Sequence, residues 1–168
     1  MALGRLSQTD PLTGLANRRA IEARLAVEIQ RAARFNHSLT IGLIDIDDFK
    51  LVNDQFGHTA GDSVLRRVAA LLERELRAID VVGRYGGEEF LMILPETDLA
   101  GAAVASERAL SAIREGFAGY GYGHPMTVSI GLASFAEHGR SAPELLEAAD
   151  AVLYQAKREG KNRVVSAE

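Results

Sequence analysis

Between Ser38 and Asp47 the chain carries Leu39-Thr40-Ile41-Gly42-Leu43-Ile44, a stretch without charge and almost without polar interruption. A run of this texture reads as a strand buried on both faces, and such a strand lies inside a sheet with helices over it. It stops abruptly in Asp45-Ile46-Asp47-Asp48. Because strand side chains alternate, Asp45 and Asp47 are expected on one face and Ile46 on the other. A strand that ends in carboxylates puts charge at the rim of a core.

Helical and extended patterns alternate around that strand. Asn17 is placed to cap a first helix of about 15 to 18 residues, on which Ile21, Leu25, Ile29 and Ala32 share a face. After Phe49-Lys50-Leu51-Val52-Asn53-Asp54 come Gly57-His58 and Gly61-Asp62, read as a glycine-punctuated link with a short helix in it. Val64, Leu65, Val68, Leu71, Leu72 and Leu76 then form the apolar stripe of a long helix closing near Arg77. Asp98 opens another, with Ala103, Val104, Leu110 and Ile113 expected inward. Met126 to Leu132 alternates and predicts a strand with one covered face. Ser141-Ala142-Pro143-Glu144 is a capping box ahead of a helix that stops at Gly160, and residues 161–165 offer a short final strand. The order predicts an α+β fold, a mixed sheet of about five strands covered by helices.

Arg84-Tyr85-Gly86-Gly87-Glu88-Glu89-Phe90 lies between two extended stretches, Val81-Val82 and Phe90 to Leu94. It predicts a hairpin whose paired glycines take the tight turn and whose glutamates stand at the tip. If the first strand pairs with this hairpin, Asp45 meets Glu88 and Glu89. Two carboxylates about 4 Å apart repel by roughly 4 kcal/mol at an effective dielectric of about 20. That is a large share of a folding stability of roughly 5 to 15 kcal/mol. The acids therefore either point apart into solvent or gather around a proton or a cation. An oxygen-only cluster suits Mg²⁺ or Mn²⁺.

Composition removes several classes of function. A chain of 168 residues, 47% hydrophobic, is one domain with room for a core. Its net charge of −4 gives no basic footprint, so neither a nucleic-acid polymer nor an anionic membrane is an expected partner. Cysteine is absent, which excludes disulfides and thiolate metal sites. No window is apolar enough for a membrane span, and Met1 to Leu6 lacks the core of a signal peptide, so a cytoplasmic protein is expected. The four histidines show no metal-ligand spacing, with His58 expected to shape the turn before Gly61, and Tyr120 and Tyr122 read as a loop.

Several motifs in order, Asp10-Pro11-Leu12-Thr13-Gly14-Leu15-Ala16-Asn17-Arg18-Arg19, Asp45 to Lys50 with Asn53, Gly57-His58 with Gly61-Asp62, Arg84 to Phe90, and Tyr154 to Lys157 with Gly160-Lys161-Asn162, together resemble the GGDEF family of diguanylate cyclases. The likeness covers nearly the whole chain, with residues 1–9 as a linker stub and 10–168 as the catalytic domain. It implies a palm-like sheet, with the Gly-Gly-Glu-Glu-Phe hairpin at the active edge, that condenses two GTP into cyclic di-GMP and pyrophosphate. Carried over, Asp45, the Ile46 carbonyl and Glu88 are implied metal ligands for two Mg²⁺ or Mn²⁺ per site. Glu88 is implied to assist deprotonation, and Glu89 to complete the metal shell. Asn53 and Asp62 are implied guanine readers; a carboxylate accepts from N1–H and N2–H of guanine, a donor pair adenine lacks. Main-chain amides near Asp48, Phe49 and Lys50, with Lys157 and Lys161, are implied to cradle the triphosphate, the Asp48 side chain turned away and Gly86 and Gly87 admitting the nucleotide. Arg77, Asp80 and Arg108 match an inhibitory cyclic di-GMP site. One copy of each motif for a product with two identical phosphodiester bonds implies a homodimer, and an upstream sensory or receiver domain is usual in such proteins. The alternative is a binding module that holds GTP or cyclic di-GMP without turnover; an oligomerisation module would leave these residues unexplained.

Overall fold

The structure, a computed structural model, describes residues 7–168; the first six residues of the segment read as a linker stub lie outside the described residues. The elements run α1 Arg18–Phe35, β1 Leu39–Ile46, α2 Phe49–Phe56, α3 His58–Glu75, β2 Val81–Arg84, β3 Glu89–Pro95, α4 Leu99–Gly116, β4 Val128–Ser134, α5 Ala142–Arg158 and β5 Arg163–Ser166. They form a five-stranded mixed sheet in the order β2-β3-β1-β4-β5. All pairings are antiparallel except β4 with β5. The uncharged run predicted as a doubly buried strand is β1, the middle strand, as its texture requires.

Helices cover both faces. Ile44, Ile46, Phe90, Met92, Val128 and Ile130 point to a core shared with α2, α3 and α4. Ile41, Leu43, Leu91, Ile93 and Ala133, one residue out of phase, point to a core shared with α1 and α5. At Gly131 the sheet and α5 come so close that an added Cβ would overlap the carbonyl oxygen of Ala149.

Local chemistry sets the helix ends. Asn17 accepts from the Ala20 amide, Asp98 from Gly101 and Ser141 from Glu144, three side-chain caps at the positions the sequence marks.

The structure differs from the sequence expectations at four points. β4 is buried at every position instead of on one face, because α4 covers one face of it and α5 the other. Val104 is 62% exposed instead of inward, since Ala102, Ser106, Ala109 and Ile113 make the buried stripe and Val104 falls on the opposite side of the turn. His58 opens α3 rather than shaping a link, and Gly61 lies within that helix. Only Gly57 breaks the chain between α2 and α3, at φ 88. Neither Gly86 nor Gly87 takes a positive φ, so the hairpin tip does not need glycine for its backbone shape.

Candidate active site

The antiparallel register of β1 and β3 sets Asp45 opposite Glu89, and the Ile46 amide donates to the Glu88 carbonyl at 3.3 Å. The end of the uncharged strand and the tip of the hairpin are thereby fastened together. A hollow of about 270 Å³ opens there, lined by Asp45, Phe49, Gly87, Glu88 and Glu89. The two glycines contribute by what they lack. A Cβ on Gly87 would meet nothing within 4 Å, while one on Gly86 would stand 3.2 Å from Glu89 Oε2. The tip is a bare strip of backbone beside three carboxylates.

Those carboxylates are electrostatically uncomfortable. Burial pushes the Asp45 carboxyl above the ordinary aspartate range, and Lys157 only partly offsets it. Glu88 is raised by burial and then by Asp45, and Glu89 by burial, Asp45 and Asp150. Lys157, from α5, donates to Asp45 Oδ1 at 2.7 Å and to Asp47 Oδ1 at 2.8 Å. Burial alone would lower its ammonium, but the two carboxylates hold it above the usual lysine range. Asp47 is 2% exposed and also accepts from Thr127 Oγ1, Ser129 Oγ and the Asn162 amide. Burial opposes its ionisation, yet Lys157 and the two hydroxyls keep it below the ordinary value. Asp47 is thus a fully satisfied buried anchor, whereas Asp45, Glu88 and Glu89 keep lone pairs facing the hollow.

Among the described residues, no three His, Cys, Asp or Glu side chains form a ready-made metal cage. The donors that do converge are the carboxylates of Asp45, Glu88 and Glu89, all oxygen, with charge that a cation would relieve. The residues fit a hard divalent ion that keeps waters and shares ligands with a phosphate.

Beside the hollow, Asp48 adopts a left-handed conformation at φ 55 and turns the chain from β1 into α2 without capping it. The first amides of α2, at Phe49 and Lys50, have no carbonyl within the helix to receive them. The Asp48 side chain turns instead to Lys161, at 2.6 Å. The Lys50 side chain is exposed. Asn53 folds over Gly61, where an added Cβ would overlap its Oδ1, at 1.9 Å, and would come within 3.2 Å of Phe49. Asp62 follows on α3, half-buried like Asn53. Phe49 therefore joins the carboxylate hollow to the Asn53–Gly61 packing.

The third group lies elsewhere. Arg77, Asp80 and Arg108 line a separate hollow of about 510 Å³ between the end of α3 and α4. The Arg77 guanidinium donates to both oxygens of Asp80, to Pro95 O and to Thr97 Oγ1, which fixes its plane before any ligand arrives.

Sequence reasoning missed the brace behind the hairpin. Asp10 Oδ2 accepts from the Thr13 amide and hydroxyl and, with Oδ1, from Arg84, whose other nitrogens donate to Gly87 O at 2.8 and 3.2 Å. Arg18 lies 4.2 Å from the centre of the Tyr85 ring. The joint presence of Asp10-x-x-Thr13 and an arginine just before the glycines was the available signal.

A family model described as diguanylate cyclase, GGDEF domain, matches residues 7–163. The chain is 43% identical over 157 residues to diguanylate cyclase DgcP of Pseudomonas aeruginosa, covering 93% of this chain and 23% of that protein. It is 44% identical over 163 residues to the response regulator PleD of Caulobacter vibrioides, covering 95% of this chain and 36% of that protein. The chain thus spans about a quarter to a third of the length of these relatives. Among solved structures, the GGDEF domain of DgcB from Caulobacter crescentus, in complex with c-di-GMP, superimposes with a TM-score of 0.90 at 35% identity, covering 100% of this chain and 97% of that one.

Proposed function

The chain belongs to the GGDEF domain family of diguanylate cyclases, and from that premise we propose that it condenses two GTP into cyclic di-GMP and two pyrophosphates. The supporting observation is the convergence of Asp45, Glu88 and Glu89 on one hollow beside the uncapped start of α2. Asp45, the Ile46 carbonyl and Glu88 are the groups that would hold two Mg²⁺ or Mn²⁺, with Glu89 completing the shell. Bound there, the ions would neutralise the triphosphate and lower the pKa of the attacking 3′-hydroxyl. The amides at Phe49 and Lys50, just after Asp48, donate to phosphate oxygens, as helix starts do. Lys157 and Lys161 add point charges, each exchanging a carboxylate partner for phosphate. Asn53 and Asp62 read the guanine edge, with Phe49 and Gly61 behind them. Glu88 takes the proton as the 3′-oxygen attacks the α-phosphorus of a second GTP and the bond to pyrophosphate breaks. Each protomer brings one GTP, so two chains face each other about a two-fold axis.

We further assign Arg77, Asp80 and Arg108 to product feedback, arginine being able to grip guanine O6 and N7 with two donors. The relatives are longer than this chain, and one is a response regulator, which supports an upstream sensory or receiver domain in the whole protein. No helix among the described residues is long and apolar enough to cross a membrane. We assign the domain to the cytoplasm, where GTP is available.

The test is incubation with GTP and Mg²⁺, separating nucleotides by chromatography, with Glu88→Gln as control. Cyclic di-GMP from the wild type and none from the variant supports the proposal. GTP binding without product from the wild type contradicts it and favours a binding module.

A further inference from the structure

Among the described residues, Lys157 is the one cation within ion-pair reach of the carboxylates that line the Asp45 hollow. It stands in the last turn of α5, and α5 is seated so closely on the sheet at Gly131 that no methyl group fits between them. The packing of the helix fixes where the lysine starts, and only its flexible four-carbon stem is free to swing. Its ammonium lies between two aspartates of unlike standing. Asp47 is 2% exposed and accepts, besides Lys157, from the Thr127 and Ser129 hydroxyls and the Asn162 amide. These donors fill the roughly four acceptor positions of a carboxylate and leave nothing for a ligand from outside. Asp45 is 16% exposed, and Lys157 is the sole partner of its carboxylate among the described residues.

We propose that in the nucleotide-free site Lys157 takes the place of the divalent cation, and that metal enters only as a triphosphate draws the lysine off Asp45. This rests on the reading of Asp45 and Glu88 as metal ligands and adds a condition to it: the hollow is closed to a metal ion alone. The ammonium on Asp45 Oδ1 already relieves part of the charge that would attract an ion. A divalent ion taking the same carboxylate would meet that ammonium as like charge at close range. A triphosphate changes the balance, because it offers the ammonium new anionic oxygens and shares others with the ion. Asp47 stays where its three other donors hold it, and its Oδ1 keeps one bond to the ammonium when Asp45 is released. The lysine thus pivots about Asp47 instead of leaving the site. Cation and phosphate are coupled through it, and the coupling is reciprocal. The same lysine gives the gathered acids a counter-ion when no metal is bound.

Mn²⁺ titrated into the nucleotide-free chain, with the free ion read by electron paramagnetic resonance, tests this without any turnover. Its failure leaves the cyclase reading standing, and a chain that holds GTP without turning it over can still pass it. Lys157→Met, close in length and uncharged, should bind Mn²⁺ about 10- to 100-fold more tightly than the wild type, the worth of roughly 1.4 to 2.8 kcal/mol. Adding Glu88→Gln should abolish the gain, which locates the ion in the hollow. Lys161→Met removes an equal charge from a pair with Asp48 that is more open to solvent, and should change the affinity by less than about threefold. Circular dichroism reports folding, and Lys157→Gln replaces the methionine variant if that one does not fold. Should neither fold, the nitrogen resonance of the Lys157 ammonium in the wild type decides: it should hold its place with Mg²⁺ alone and move once an unreactive αβ-methylene analogue of GTP is bound with the ion. Equal or weaker binding by the Lys157 variant, a gain that survives Glu88→Gln, or an equal gain from Lys161→Met overturns the proposal. So does a resonance that moves with Mg²⁺ alone or stays put when the analogue is bound.

Discussion

Gly61 is where a single hydrogen in place of a methyl group decides what a neighbour can do. Asn53 occupies the space a Cβ would need, and its carboxamide can swing aside where the backbone cannot. Gly61→Ala should therefore leave the melting temperature within a few degrees while displacing the proposed guanine reader. KM for GTP is expected to rise by about 5- to 150-fold, the worth of roughly 1 to 3 kcal/mol of base recognition, with kcat changed less; an unchanged KM contradicts the role given to Asn53. Arg77 makes a parallel case. Its four acceptors are all within the chain, so Arg77→Ala should abolish product inhibition in a steady-state assay while initial rates stay near wild type. Inhibition that persists unaltered sinks the feedback assignment. Residues of this kind were legible as types and spacings. Their pairing was not, because Lys157 and Asp45 are far apart in sequence and only the packing of α5 beside β1 makes them partners.

At the level of elements, the segment before α1 works as a brace. Asp10 ties its own turn through Thr13, and Arg84 carries that tie to the carbonyl of Gly87. Burial works against the Asp10 charge, but the Thr13 hydrogen bonds and Arg84 outweigh it and hold the carboxyl below its ordinary value. A depressed carboxyl contributes stability above the unfolded pKa of about 3.9 and loses it as pH falls through the folded value. The stability gap between wild type and Asp10→Asn in urea should thus be full at neutral pH and close below about pH 4; a gap that widens on acidification reverses the sign and refutes the argument. Elements announced by their ends were readable: the capping side chains of α1, α4 and α5 are local chemistry. The burial of β4 was not, since its two covers, α4 and α5, lie on opposite sides of it in sequence and only the folded chain lays one on each face. The glycines of the hairpin were read both as turn formers and as room for the nucleotide, and only the backbone angles of the folded chain remove the first of these.

For the whole molecule, the proposed reaction, with one set of site residues per chain and a two-fold product, would make turnover a property of pairs. Activity per chain should rise with protein concentration in the dilute range; a rate strictly linear in concentration down to nanomolar protein would argue against paired active sites. The sheet adds a further consequence. Asn53 and Asp62 belong to the helices over one face, while Lys157 belongs to the helix over the other, and only the end of β1 lies between them. A nucleotide seated as proposed would act as a bolt through three plates. Amide hydrogen exchange should slow in α2 and in α5 together when GTP is added to the Glu88→Gln protein, and protection confined to one side would mean the nucleotide clamps a single layer.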